Sequence, residues 1–160
     1  QAILEMLYAT GLRLSELLSI NICDINKKDK LVKVMGKGGK ERIVPIGKVA
    51  LNSIESYIKK LGKSIRSIYD DPLFVNKKGE RLPKRTLQRR IKKYLEVTIG
   101  GGSVHTLRHS FATHLVNSGA DILTVKELLG HSSLSSTQHY TRLNQEKIKK
   151  VYQEKHPHGK

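Results

Sequence analysis

Apolar residues recur at the spacing of α-helices along most of the 160-residue chain, and this periodicity constrains the fold more than any other feature. It predicts a helix ending at Thr10-Gly11, a second one carrying Leu14, Leu17 and Leu18, others at 48–61, 84–97, 107–118, 122–129 and 144–153, and a short one at 135–142. Capping residues fit these boundaries, since Asp121 can cap a helix start and Gly130 a helix end.

One segment departs from the helical pattern and indicates β-structure. Residues 31–35 and 42–46 are rich in β-branched residues and flank a glycine-rich turn, GKGGK, at 36–40. Pro45 lacks a backbone donor, so the second strand should end there or lie at a sheet edge. The expected fold is therefore a single domain, mainly α with a small antiparallel β-hairpin or sheet (α+β).

The chain carries a large positive charge, with 30 Lys and Arg against 14 Asp and Glu, a formal net charge of +16. The basic residues are spread over several predicted elements, which favours a folded surface that contacts the backbone of a polyanion. Charge alone leaves nucleic acid, an anionic membrane surface and a merely solvated basic face open. Aromatic residues make up 5% of the chain, which disfavours base stacking and favours contact with a duplex.

Further sequence features narrow the class of protein. No apolar run approaches the ~20 residues that span a bilayer, which excludes an integral membrane protein. The single cysteine, Cys23, cannot form an intrachain disulfide, so a reducing compartment, the cytoplasm, is expected. The chain runs from Gln1 at once into an apolar helical pattern, as expected of a fragment of a longer protein.

Four short motifs contain residue types that phosphoryl chemistry uses. They are GLRLSE at 11–16, GKG at 36–38, HTLR at 105–108, and LGH at 129–131 with Tyr140 nine residues beyond His131. Each motif is ordinary when taken singly, because an arginine at a helix start is usually a surface residue and a histidine is usually packed or solvated.

Taken together, the motifs closely resemble the tyrosine recombinases, the family of phage-type integrases and Xer-type enzymes. The resemblance extends from Leu4 to about Tyr152 and is strongest over 105–143. The segment GKGGKERIVPI at 36–46 is most similar to the Xer subgroup. The resemblance implies the recombinase catalytic-domain fold over 1–160, and an enzyme that breaks and rejoins DNA through a 3′-phosphotyrosyl intermediate.

The resemblance implies Tyr140 as the nucleophile and Arg13 and Arg108 as paired phosphate-binding arginines. Attack on a phosphodiester adds negative charge to the non-bridging oxygens. Guanidinium groups carry that charge well, because they stay ionised and donate two parallel hydrogen bonds. A phenol has a pKa near ~10, so Tyr140 needs neighbouring cations and a base to lose its proton.

The same resemblance implies His105 as the general base, Lys37 as the general acid on the hairpin turn, and His131 as a further transition-state donor. Glu16 would support the first arginine. His105 and Arg108, three residues apart at a helix start, can project to the same side, near a helix N-terminus that favours phosphate. A phosphotyrosyl ester conserves the bond energy, so the resemblance implies no cofactor, neither metal nor ATP.

Double-stranded DNA is the partner that the resemblance implies, together with a homo- or hetero-tetramer of the full-length protein. The segment 144–160 is a candidate for docking on a neighbouring subunit, and the N-terminal core-binding domain usual in such families is expected to lie outside this chain. Two alternatives stay open: a non-catalytic DNA-binding module, and a relaxase similar to type IB topoisomerases.

Other residues with chemical potential are expected to be structural. His109 and His114 lie within the helix predicted at 107–118, and the sequence offers neither a cysteine partner nor an HExxH motif for zinc. The turn at 36–40 lacks the spacing of a nucleotide-binding P-loop, which argues against nucleotide hydrolysis. The remaining tyrosines are expected in the core or on the surface: Tyr8, Tyr57, Tyr69, Tyr94 and Tyr152.

Overall fold

The computed structural model describes residues 1–36, 39–62, 70–130 and 142–159, apart from the side chains of 142–144. These residues form α1 (Ala2–Thr10), α2 (Leu14–Ser19), a 3-10 helix (Ile22–Asp24), β1 (Ile25–Asn26), β2 (Leu31–Met35), β3 (Glu41–Pro45), α3 (Lys48–Lys60), α4 (Lys84–Ile99), α5 (Val104–Asn117), α6 (Ile122–Leu129) and α7 (Arg142–Lys155). The predicted mainly helical fold with a small antiparallel sheet is confirmed.

The three strands form an antiparallel sheet in the order β1-β2-β3. Val32 on β2 lies opposite Val44 on β3, so the predicted hairpin is confirmed. Pro45 ends β3, which lies at the edge of this sheet as expected. The first strand pairs Ile25 with Val32. A two-residue strand is too short to leave a detectable periodicity in the sequence, and β1 was therefore not predicted.

The core consists of two hydrophobic clusters. The larger one joins α1, α2, the sheet, α3 and α4, and contains fully buried side chains such as Met6, Leu17 and Ile54. The second one joins α5, α6 and α7 around Phe111. Burial of each large apolar side chain contributes roughly 1.5–3 kcal/mol to folding.

The two clusters meet where the end of α1 approaches α5. Gly11 ends α1 in the left-handed conformation, with φ 60°. A Cβ atom at this position would lie 2.5 Å from the Phe111 ring, so only glycine permits the approach. This close contact sets the position of the chain just before α2.

The fifth helix begins three residues earlier than predicted, at Val104. Ser103 caps it: its hydroxyl accepts a hydrogen bond from the backbone N–H of His105 at 3.2 Å, and its own N–H donates to Thr106 Oγ1 at 3.0 Å. The apolar spacing begins effectively at Leu107, so it did not reveal this first turn.

The last helix packs on its own chain. Tyr152 is 1% exposed, and its hydroxyl accepts a hydrogen bond from the backbone N–H of Gly47 at 3.1 Å. The ring of His156 stacks on Tyr152, and the hydroxyl of Tyr8 lies 2.7 Å from His114 Nδ1. This helix extends beyond the predicted 144–153, and the helix predicted at 135–142 lies outside the described residues except for its last position.

Across the described ranges, no helix combines the length and the apolar character that crossing a membrane requires.

Candidate active site

The described part of the chain contains four of the predicted site residues: Arg13, Glu16, His105 and Arg108. The other three, Lys37, His131 and Tyr140, lie outside the described residues.

Arg13 lies between the end of α1 and the first turn of α2. Its extended backbone, φ −71° and ψ 151°, allows one helix to end and the next to begin within a few residues. Its backbone N–H donates to Glu16 Oε2 at 2.8 Å, and its Nη1 donates to Glu16 Oε1 at 3.1 Å. The side chain is 41% exposed, so part of the guanidinium is accessible to a ligand.

Glu16 supplies the carboxylate that binds the arginines on this side of the site. Its side chain is 5% exposed and accepts hydrogen bonds from two arginines, Arg13 and Arg42. Burial alone would raise the pKa of Glu16, but the hydrogen bonds and charges of the two arginines outweigh burial and hold this pKa below its usual range. Glu16 is therefore an anion at neutral pH.

Arg108 is held by backbone carbonyls. Its Nη1 donates to the carbonyl oxygen of Gly11 at 2.5 Å and its Nη2 to that of Leu129 at 2.6 Å. Burial, followed by repulsion from Arg13 and Arg42, lowers the pKa of Arg108 to about 10, and Glu16 opposes this effect. The guanidinium stays charged at neutral pH, and carbonyl partners do not neutralise that charge.

Arg13, Glu16, Arg42 and Arg108 form one group, which we call the arginine cluster. The charges of the first three all act on the pKa of Arg108, so the four groups lie within electrostatic range of each other. The cluster contains three guanidinium groups and one carboxylate, which leaves an excess of positive charge. A partly buried cationic cluster of this kind binds anions such as phosphate.

His105 lies in the first turn of α5, one turn before Arg108 on the same helix. Its side chain is exposed, while that of Arg108 points into the protein and is 9% exposed. The structure therefore brings Arg13, Glu16 and Arg108 together and places His105 at the accessible start of the helix that carries Arg108. Residues three apart on a helix lie on neighbouring parts of its surface.

Sequence reasoning missed Arg42, the fourth member of the cluster. It lies on β3, is 7% exposed, and forms two hydrogen bonds with Glu16, at 2.8 Å and 3.1 Å. The available signal was its place in the strand, because Arg42 alternates with the buried Val44 and Ile46 and so shares their inward face.

The end of α6 lies beside the same cluster. Gly130 ends this helix in the left-handed conformation, with φ 65°, as predicted. A Cβ atom on Gly130 would lie 2.9 Å from Arg42 Cζ, and the preceding residue, Leu129, offers its carbonyl oxygen to Arg108. Residue 131 follows directly along the chain.

A mainly helical domain with a small antiparallel sheet is the fold of tyrosine recombinase catalytic domains, and the structural neighbours have this fold. The sequence model of the phage integrase family matches residues 1–147. The chain therefore belongs to the phage integrase family, the tyrosine recombinases, as its motifs indicate.

Individual relatives are similar along nearly the whole chain. Tyrosine recombinase XerC of Myxococcus xanthus is 44% identical over 163 residues, covering 98% of this chain and 54% of the relative. The crystal structure of XerA recombinase aligns with a TM-score of 0.73 at 31% identity, covering 98% of this chain and 57% of that one. The chain thus spans about half the length of the curated relatives it matches.

Several solved relatives are in complex with a substrate or with DNA. One of them is the XerH site-specific recombinase bound to palindromic difH substrate, in a post-cleavage complex. It aligns with a TM-score of 0.69 at 25% identity and covers 94% of this chain and 44% of that one.

Proposed function

We propose that the chain is the catalytic domain of a site-specific DNA recombinase or integrase, which breaks and rejoins strands through a 3′-phosphotyrosyl intermediate. Family membership supports the reaction class. The observation that carries the proposal is the placement of Arg13 and Arg108 in one cationic cluster around Glu16. A site with this excess of positive charge suits a reaction that accumulates negative charge on phosphate oxygens.

In the proposed mechanism, Arg13 and Arg108 bind the non-bridging oxygens of the scissile phosphate. Arg108 is held by the carbonyls of Gly11 and Leu129, so it does not need to reorient when charge develops. Preorganised donors in a partly buried site stabilise a transition state more than freely hydrated donors do. Arg13 is more exposed and is oriented by Glu16.

The bond changes are assigned to the residues that the family resemblance implies. The phenol oxygen of Tyr140 attacks phosphorus while the bond to the 5′-oxygen breaks, and His105 accepts the phenolic proton. Lys37 donates a proton to the leaving 5′-oxygen, and His131 donates a hydrogen bond to the transition state. Rejoining reverses these steps, with a 5′-hydroxyl attacking the phosphotyrosyl ester.

Double-stranded DNA is the proposed partner. The net charge of +16 suits a polyanion, and α4 carries a row of exposed basic residues: Lys84, Arg85, Arg89, Arg90, Lys92 and Lys93. The similar XerH recombinase is in complex with its difH substrate. Because the substrate is DNA and Cys23 is a free thiol, we also propose a cytoplasmic location.

Exchange between two duplexes cleaves each of their four strands, and one Tyr140 per strand implies a homo- or hetero-tetramer of the full-length protein. We propose that 144–160 docks on a neighbouring subunit in that assembly. Such docking requires α7 to leave its present contacts, above all the hydrogen bond between Tyr152 and Gly47.

A suicide substrate tests the proposal. A radiolabelled duplex carrying a site that the full-length protein selects by binding from a random-sequence pool is nicked near the expected cleavage position, so that a cleaved strand cannot be rejoined. This duplex is incubated with the full-length protein and denatured. We expect an adduct that resists denaturation, and we expect Tyr140→Phe to abolish it. Tyr94→Phe is the matched control, because Tyr94 is exposed on α4, and this variant should retain the adduct.

Two outcomes would contradict the proposal. DNA binding without an adduct would identify a non-catalytic DNA-binding module. An adduct accompanied by relaxation of supercoiled DNA, but without pairing of two sites in a gel-shift assay, would identify a relaxase similar to type IB topoisomerases.

A further inference from the structure

Arg42 and Glu16 form a buried ion pair within the arginine cluster. The two side chains are 7% and 5% exposed, and the guanidinium binds both carboxylate oxygens, Nη1 to Oε1 at 2.8 Å and Nη2 to Oε2 at 3.1 Å. Two parallel bonds of this kind fix the orientation of both groups. Buried ion pairs contribute little to stability compared with apolar residues of similar volume, so this pair points to a role other than stability.

The carboxylate that Arg42 holds is the same one that holds Arg13. Oε1 accepts from the Nη1 atoms of both arginines, and Oε2 accepts from Arg42 Nη2 and from the backbone N–H of Arg13. The plane of the Glu16 carboxylate therefore sets the position of the Arg13 guanidinium. The last torsion of a glutamate is soft, so without Arg42 only the two hydrogen bonds from Arg13 itself would hold this plane.

Arg42 also touches the elements on the other side of the site. The end of α6 passes so close that a Cβ atom on Gly130 would lie 2.9 Å from Arg42 Cζ and 3.0 Å from its Nη1. The strand that carries Arg42 belongs to the hairpin that leads to Lys37. Arg42 thus lies where the hairpin, the start of α2 and the end of α6 converge.

The Nε atom of Arg42 is buried and has no hydrogen-bond partner in the described ranges. An unpartnered buried donor costs roughly 1–3 kcal/mol.

We infer that Arg42 is a positioning residue for strand cleavage: it fixes the carboxylate of Glu16 so that Arg13 meets the scissile phosphate in one orientation. This inference rests on the proposed function. Arg42 itself is buried beneath Glu16 and acts through it.

The test uses the full-length protein and the same selected, nicked duplex, and it measures adduct formation in a single turnover together with DNA affinity. Arg42→Met should lower the rate of adduct formation about 100-fold and change DNA affinity by less than about threefold, because the charge geometry matters most in the transition state. Arg42→Lys keeps the charge but not the paired bonds, and should lower the rate about 10-fold. Guanidinium ions added to Arg42→Met should restore part of the rate.

A double-mutant cycle separates positioning from a general structural effect. If Arg42 acts through Glu16, then Arg42→Met combined with Glu16→Gln should slow the reaction no more than the slower single variant does. The matched control is Arg81→Met. This arginine donates to the backbone carbonyls of Leu18 and Ile20 and lies outside the cluster, so the variant should keep the parental rate.

The possible outcomes are distinguishable. No adduct from the parent protein contradicts the proposed function itself. If the parent protein forms the adduct and folded Arg42→Met and Arg42→Lys form it at the parental rate, the inference is overturned. It is also overturned if the effects of Arg42→Met and Glu16→Gln on the rate simply add in the double variant. If Arg42→Met does not fold, the rate of Arg42→Lys and its cycle with Glu16→Gln decide the question.

Discussion

Two buried charges in the arginine cluster are compensated in different ways, and this difference sets what each residue can do. Glu16 is surrounded by guanidinium groups, which hold its pKa low and keep it anionic. Arg108 is bound by backbone carbonyls, which orient the guanidinium without cancelling its charge. Its positive charge therefore stays available for a substrate anion, whereas that of Arg42 is taken up by Glu16.

We predict that Arg108→Ala nearly abolishes strand cleavage while DNA binding is largely retained. The contacts of Arg108 strengthen as charge develops on the phosphate, so the single-turnover rate of adduct formation should fall about 1000-fold or more. DNA affinity, measured by gel shift, should fall by less than about 10-fold, since many other cations bind the backbone. An equal loss in rate and affinity would make Arg108 a plain phosphate anchor.

Among the elements, the contact between α1 and α5 determines how the site is assembled. Gly11 presses against Phe111 and offers its carbonyl oxygen to Arg108, both on α5, and it directly precedes the segment that carries Arg13. A change at this contact therefore affects core packing together with Arg13 and Arg108, the arginines proposed to bind phosphate.

Gly11→Ala is expected to destabilise the fold by about 3 kcal/mol, because an alanine there meets the Phe111 ring and also adopts a left-handed backbone. Gly100→Ala is the matched control. Gly100 also has a positive φ, 75°, but an added Cβ would meet no neighbouring atom within 4 Å. The free energy of unfolding should therefore fall by only about 1 kcal/mol in Gly100→Ala. Denaturant unfolding measures both values, and equal costs would show that the contact with Phe111 contributes nothing.

On the scale of the whole molecule, the C-terminal segment closes the domain over a group of aromatic and histidine side chains. His156 is 4% exposed, stacks on Tyr152 and lies against the Phe111 ring. Burial, together with the nearby His158 and His114, lowers the pKa of His156 to about 4. The contacts of His156 with Phe111 and Tyr8 pack the end of the chain against α5 and α1, and they make the stability of the domain dependent on pH.

We predict that the free energy of unfolding decreases as the pH falls from 7 to 4. The folded-state pKa of His156 is about 4, whereas an unfolded histidine titrates near ~6.5, so the unfolded state binds the proton first. The loss should begin below about pH 6.5, reach up to about 3 kcal/mol, and level off below the folded-state pKa. Glu5, which faces His158, and Tyr8 line the same site.

Urea unfolding at a series of pH values measures this dependence. His156→Phe should remove most of the decrease in the free energy of unfolding between pH 7 and pH 5. His109→Gln, a change at an exposed histidine of α5, should leave the decrease in place. A parental protein whose stability is unchanged between pH 7 and 5 would contradict the prediction.

The amino-acid sequence by itself determined the helices, the hairpin and the residues of the site that lie in recognisable motifs. Local interactions define these features: apolar spacing for α3 and α4, the glycine-rich turn for β2 and β3, and capping by Asp121 and Gly130. Arg13, Glu16 and Arg108 were predicted as site residues because each lies in a short motif that resembles the family.

Tertiary structure alone decided how distant residues share one charge network. Arg42 is 26 residues from Glu16 along the chain, and no local pattern marks it as the partner of that carboxylate. The same holds for the hydrogen bond between Gly47 and Tyr152, 105 residues apart, and for the contact between Gly11 and Phe111. Such contacts depend on how whole elements pack, because a side chain finds its partner only after burial has brought the two elements together.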